Sequence, residues 1–168
     1  MTALNEDMRE YQDQLTKGAI QRAYRGLMAF MMGLRTRFQK HHPELAVSGL
    51  YEGYMDMTYF AATPTSLKAR GLKIAIVFVP AAFRFEAWLA AANKQVQAQY
   101  WQLLKESGWQ QYPLVATTQG ADAIIEHILV AEPDFSDLKA LTGWIEEGVQ
   151  TFTRDIETFL ANHPALIP

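Results

Sequence analysis

The chain predicts an α+β domain with a mixed, mainly antiparallel sheet flanked by helices. Three observations point there. Residues 47–89 hold three segments rich in β-branched and aromatic side chains, joined by short connections of the kind that link antiparallel neighbours. Residues 19–39 and 138–161 repeat their apolar side chains every three or four positions, as one face of a helix does. A helix after the third strand lets a fourth return parallel to a neighbour, so the element order reads α-β-β-β-α-β-α-α.

Bulk composition fits that class. The 168 residues, 49% hydrophobic and 20% charged, make one domain over 1–168, enough to bury about 70% of the unfolded surface. A net charge of −3 gives no general attraction to nucleic acid or to membranes. The absence of cysteine excludes disulfides, thiol nucleophiles and thiolate metal sites, and agrees with a cytoplasmic location. The opening MTALNEDMREYQDQ is polar and acidic, unlike a signal peptide, and no apolar run reaches the roughly 18 residues of a membrane span. Charge is unevenly placed. Residues 14–43 carry six basic side chains and no acidic one, whereas residues 119–157 carry nine acidic side chains against Lys139 and Arg154. The two regions are expected to attract each other across the domain rather than to form a phosphate-binding patch.

In order, residues 5–15 predict a short helix with Met8, Tyr11 and Leu15 on one face, broken at Lys17-Gly18. The helix over 19–39 carries Ile20, Tyr24, Leu27, Met31, Leu34 and Phe38, and Met28, Phe30 and Met32 widen its stripe to two buried sides. His41-His42-Pro43 ends it, with the histidines in a capping role. Residues 47–61 predict one long strand, with Glu52, Tyr54, Asp56 and Thr58 on one face and Tyr51, Met55, Met57 and Tyr59 on the other. A loop over 62–71 leads to a central strand, Leu72 to Val79, and a turn at 80–82 returns the chain through 83–89. An odd loop would bury Arg84 and Glu86 among apolar side chains. The register therefore places Lys73, Ala75, Val77, Arg84, Glu86 and Trp88 on one face.

A helix follows over 90–107, ended by Gly108, with Asn93 and Gln97 one turn apart. Residues 112–117 predict a short strand and 122–131 a helix. Asp134 or Ser136 then caps a last helix whose stripe runs from Leu138 to Phe159. If that stripe exceeds what the sheet can bury, it marks a homodimer surface.

Two resemblances accompany this reading. The α-β-β-β-α-β order looks like the core of restriction-endonuclease-like domains, an analogy of fold alone. The segments GYMDMTYF (53–60), LKIAIVF (72–78), RFEAWLAAANKQVQAQYW (84–101), ESGW (106–109), IIEHILV (124–130) and PDFSDL (133–138) resemble a bacterial family described only as a domain of unknown function. That resemblance implies a single-domain cytoplasmic bacterial protein and supplies no activity.

The residues that point to chemistry are Tyr54, Asp56, Lys73, Arg84 and Glu86 on one sheet face, with Asn93 and Gln97 where the next helix starts. As structure, they form cross-strand ion pairs, Asp56 or Glu86 with Arg84 or Lys73. As a site, they form a polar pocket of a non-catalytic binding or interaction domain. Arg84 would meet a carboxylate or phosphate of a small anion or protein partner, Asn93 and Gln97 would read polar groups, and Tyr54, Trp88 and Trp101 would supply a stacking wall. No cofactor is expected in that case. The alternative is a degenerate metal-dependent nuclease-like phosphodiesterase, with Asp56 and Glu86 on Mg²⁺ or Mn²⁺ and Lys73 beside the phosphate. Against it, Trp88 stands where an acidic-x-Lys motif needs lysine.

Overall fold

A computed structural model describes residues 2–164 of the chain. Its first helix, α1 (Ala3–Lys17), ends where Gly18 turns left-handed at φ 77° and returns its N–H to the Leu15 carbonyl. Glycine is required there, since a side chain would be strained and its Cβ would sit 2.9 Å from Arg22 Nη1. The second helix, α2 (Ala19–His41), buries Phe30, Met31, Leu34 and Phe38. It is not buried on two sides as expected: Ile20 and Met32 remain exposed.

The long strand expected over 47–61 is two short ones, β1 (Ala46–Val47) and β2 (Thr58–Thr63). Between them Gly53 and Met55 adopt left-handed backbone, at φ 79° and 65°, which a strand cannot hold. The Asp56 carboxylate accepts the Tyr54 N–H at 2.8 Å and fixes the loop. A single turn, α3 (Thr65–Lys68), occupies part of the expected loop.

At the centre of the sheet is a hairpin, β3 (Leu72–Val79) and β4 (Arg84–Ala91). Its four connecting residues give the even register the pattern demanded. Lys73 faces Ala90, Ala75 faces Trp88 and Val77 faces Glu86, while Ile74, Ile76 and Phe78 lie opposite Leu89, Ala87 and Phe85 on the other side. From there the chain enters α4 (Lys94–Glu106), capped by the Asn93 side chain, which accepts the Val96 N–H at 2.9 Å.

Where a helix was expected over 122–131, the chain forms strand β5 (Ile125–Val130). The apolar run is too short to favour a helix, its isoleucines suit a pleated surface, and the open edge of β4 satisfies its backbone. It pairs antiparallel with β4, so the sheet is antiparallel throughout in the order β1-β2-β3-β4-β5. The α+β class stands. The parallel return does not, and with it goes the parallel strand that accompanied the endonuclease analogy. The strand expected over 112–117 is reduced to one bridge, Leu114 with Ile125.

The last helix, α5 (Leu138–Ala161), is capped by Asp137, whose side chain accepts the Ala140 N–H. Asp134 and Ser136, the expected caps, bond each other instead.

Helices α2 and α5 cover the sheet face that carries Ile74, Ile76, Phe78, Phe85, Ala87 and Leu89. Edge-to-face ring contacts mark the seam: Phe30 on Phe85, Phe38 on Phe60, and Tyr112 on Phe152. Of the predicted α5 stripe, Leu141, Ile145, Val149, Phe152 and Ile156 are buried in this core, Phe159 is partly buried against it and Leu138 remains exposed. The attraction between the basic and acidic regions takes one concrete form at the end of α2. Glu146 accepts from Arg37 and from His42 Nε2, the latter at 2.8 Å. Burial raises the Glu146 carboxyl, and its bonds to Arg37 and His42 outweigh that and hold it below the usual range. His42 is thus the C-cap of α2, its N–H returning to the Phe38 carbonyl, and its ring pairs across to α5 as well. Among the described residues no helix is long and apolar enough to cross a membrane.

Candidate functional site

The second face of the β3–β4 hairpin is polar and carries a cleft of about 260 Å³ where the sheet meets α4. Its shape follows from side-chain size. Ala75 and Ala90 stand at the centre of the face, where larger residues would fill the space. Around that floor rise Tyr59 from β2, Lys73 from β3 and Trp88 from β4, with Asn93, Lys94 and Gln97 from the start of α4. Lys73 Nζ lies over the Tyr59 ring, 5.9 Å from its centre, and has no carboxylate partner among the described residues. Asp122 lies at the rim.

Of the residues the sequence singled out, Lys73, Trp88, Asn93 and Gln97 line this cleft. Gln97 is buried and donates from Nε2 to the Ala121 and Ala123 carbonyls, both at 3.0 Å. Lys94 Nζ also donates to Ala121 O, at 2.7 Å. These bonds hold the segment before β5 against α4, so one wall of the cleft is fixed by the residues that line it.

Arg84 and Glu86 share the face but not the cleft. Their contact is along one strand, not across strands as expected: Arg84 Nε donates to Glu86 Oε2 at 2.8 Å, and Trp88 Nε1 donates to Oε1 at 2.9 Å. Glu86 is 3% exposed with both oxygens engaged. Its role is to neutralise Arg84 and to fix the Trp88 indole that forms a cleft wall. On the neighbouring strand, Glu126 lies opposite Trp88. Burial, and then the charge of Glu86, raise its carboxyl above the usual range.

Tyr54 and Asp56 are elsewhere. Tyr54 is 92% exposed in the 48–57 loop, and Asp56 is held below the usual carboxylate range by backbone N–H groups of Tyr54 and Met57. The face assignment of that segment is also reversed. Thr58 lies opposite Phe78 on the helix-covered side and Tyr59 opposite Val77 on the polar side. Trp101, the other expected wall, donates to Val115 O under the Lys105 ammonium and takes no part. The sequence reading missed Tyr59 and Asp122 and gave Lys94 and the alanine floor no part in a site. The alternation that found Lys73 and Trp88 would have found Tyr59 had the strand begun at residue 58.

Asp56 is engaged by N–H groups of its own loop and Glu86 by Arg84 and Trp88, which does not favour the nuclease reading. Among the described residues no three carboxylate or imidazole groups gather to hold a metal ion.

Comparison with known proteins adds the family. A model described as domain of unknown function (DUF7000) matches residues 4–160. The chain belongs to that family. No curated protein and no solved structure matches it. The motifs read from the sequence at 53–60, 72–78, 84–101 and 124–130 all lie inside the DUF7000 span, as does every residue of the cleft.

Proposed function

We propose that this protein is a non-catalytic binding domain whose polar cleft takes a small anion with a flat apolar body. The observation that carries this is Lys73, half-buried in the cleft lining with no carboxylate partner among the described residues, its ammonium over the Tyr59 ring and Trp88 in the same lining. A partly desolvated ammonium attracts an anion more strongly than an exposed one. Two cations, Lys73 and Lys94, face one carboxylate, Asp122, so the lining is net positive. The start of α4 adds its partial positive charge. Aromatic walls over an alanine floor favour a planar ligand. The metal-dependent phosphodiesterase is not favoured, because Glu86 is committed to Arg84 and Trp88. A cytoplasmic location is compatible with this reading, as the chain has no disulfides.

The test is thermal unfolding with inorganic phosphate and, separately, benzoate, on wild type, Lys73→Ala and Ala75→Leu. Benzoate should raise the midpoint of wild type and of neither variant, since one lacks the cation and the other fills the floor. Phosphate alone acting would keep the anion site and discard the flat body. An equal response in all three proteins, or none to either anion, would end the reading.

A further inference from the structure

The first helix carries an apolar stripe that its own chain leaves uncovered. Leu4, Met8 and Tyr11 are each more than half exposed, Leu15 continues their line, and α1 buries no residue. Their spacing of four, three and four is that of a helix made to lie in a groove.

The same chain has a groove without an occupant. Beside the start of α2 lies an apolar cavity of about 450 Å³, lined by Ile20, Tyr24, Leu27, Phe83, Phe135 and Leu138. Four of these six are large apolar side chains open to solvent. Backbone strain supports the arrangement. Phe83 and Met55, both at the cavity rim, are the non-glycine residues with positive φ among the described residues, at 52° and 65°. Such strain persists where it holds a side chain in a useful place.

The covalent path keeps the two apart within one molecule. Laying α1 back along α2 needs a connection of about two to five residues, and Gly18 alone stands between them. The joint is also fixed, because Gln21 Nε2 donates to Leu15 O at 2.8 Å beside the Gly18 N–H. The arm therefore projects about 22 Å, at 1.5 Å per residue. Charge favours a docking between copies. In α1 four carboxylates (Glu6, Asp7, Glu10, Asp13) oppose Arg9 and Lys17, whereas α2 has five Arg and Lys residues and no carboxylate.

We infer that α1 is an exchange arm, and that in a twofold dimer the α1 stripe of each copy seats in the apolar groove beside α2 of the other. Arm and groove are on the same chain, so reciprocal exchange closes the assembly at two. An acidic arm is ill suited to the anionic surface of a membrane.

Sedimentation velocity on the full chain tests this, from about 1 to 100 μM. Wild type should be a dimer. The double variant Met8→Glu/Tyr11→Glu changes positions that support nothing in their own chain. It should remain folded by circular dichroism and dissociate at least about 100-fold more readily. Ile20→Glu, in the groove, should do the same. Mixing the two variants should restore a heterodimer, because one intact arm then meets one intact groove. Three results would overturn the inference: a wild type monomeric over the whole range, variants as dimeric as wild type, or a monomer whose α1 binds phosphatidylglycerol vesicles instead.

Discussion

The two faces of the sheet are built by alternate residues of the same strands, yet they hold the molecule together differently. On the helix-covered face Ile74, Ile76, Phe78, Phe85 and Leu89 meet α2 and α5, and nearly all are out of water. Stability there comes from apolar area and close packing. On the polar face Val77 and Glu86 are equally buried, but Lys73, Trp88 and Tyr59 stand half-exposed around an alanine floor. Order there comes from hydrogen bonds at fixed atoms: Glu86 to Arg84 and Trp88, and Gln97 to the Ala121 and Ala123 carbonyls. One face is tuned for burial and the other for shape.

Substitution should separate the two. The largest effect belongs to the covered face. Phe152→Ala removes a fully buried ring that packs on Tyr112 and His127. It should cost about 3–5 kcal/mol and lower Tm by about 10 °C. A loss under a third of that, by denaturant titration, would mean that this core is not the stabilising one. On the polar face Glu86→Gln leaves an amide NH₂ against either Arg84 or the Trp88 indole N–H. The expected loss is about 1–3 kcal/mol, with a shift in tryptophan emission as Trp88 is released. Unchanged stability and emission would show that Glu86 does not set the cleft wall.

The smallest effect has the opposite sign. Burial and the Glu86 charge raise the Glu126 carboxyl in the folded state. The native state therefore keeps this proton longer than the unfolded chain as pH rises. The group adds nothing to stability differences well below its unfolded value, and subtracts from stability once both states are ionised. Glu126→Gln should then match wild type near about pH 3 and exceed it by up to about 0.5 kcal/mol near pH 7, since the group is only partly buried and solvent screens it. A variant less stable than wild type at pH 7 would place a stabilising partner on Glu126.

The covered face was the more legible of the two in the sequence. Arg84 and Glu86 betray their register because the other choice would bury them, and the α5 stripe repeats over six turns. The polar face was half legible. Lys73, Asn93 and Gln97 stand out by chemistry, whereas Ala75 and Ala90 contribute by being small, which leaves no chemical mark. Tyr54 and Asp56 misled because residues 51–59 alternate like a strand. What breaks that strand is the left-handed backbone at Gly53 and Met55, and methionine gives no sign of it. β5 was lost to a helix because six apolar residues fit either period, and the open edge of β4 that decided the matter is a property of the folded sheet.

The strictly sequential order of the sheet has a consequence for how the chain reaches its fold. Each strand pairs with the one before it, and the central hairpin closes over four residues. Much of the β structure can thus form by local zippering outward from residues 72–91, with little loop entropy lost at each step. The long-range search falls to α2 and α5, whose docking on a preformed hairpin would complete the core. Nascent chain emerging from a ribosome could therefore assemble β1 to β4 before α5 has been synthesised, leaving the part of the hydrophobic face that α5 covers exposed until the last helix arrives.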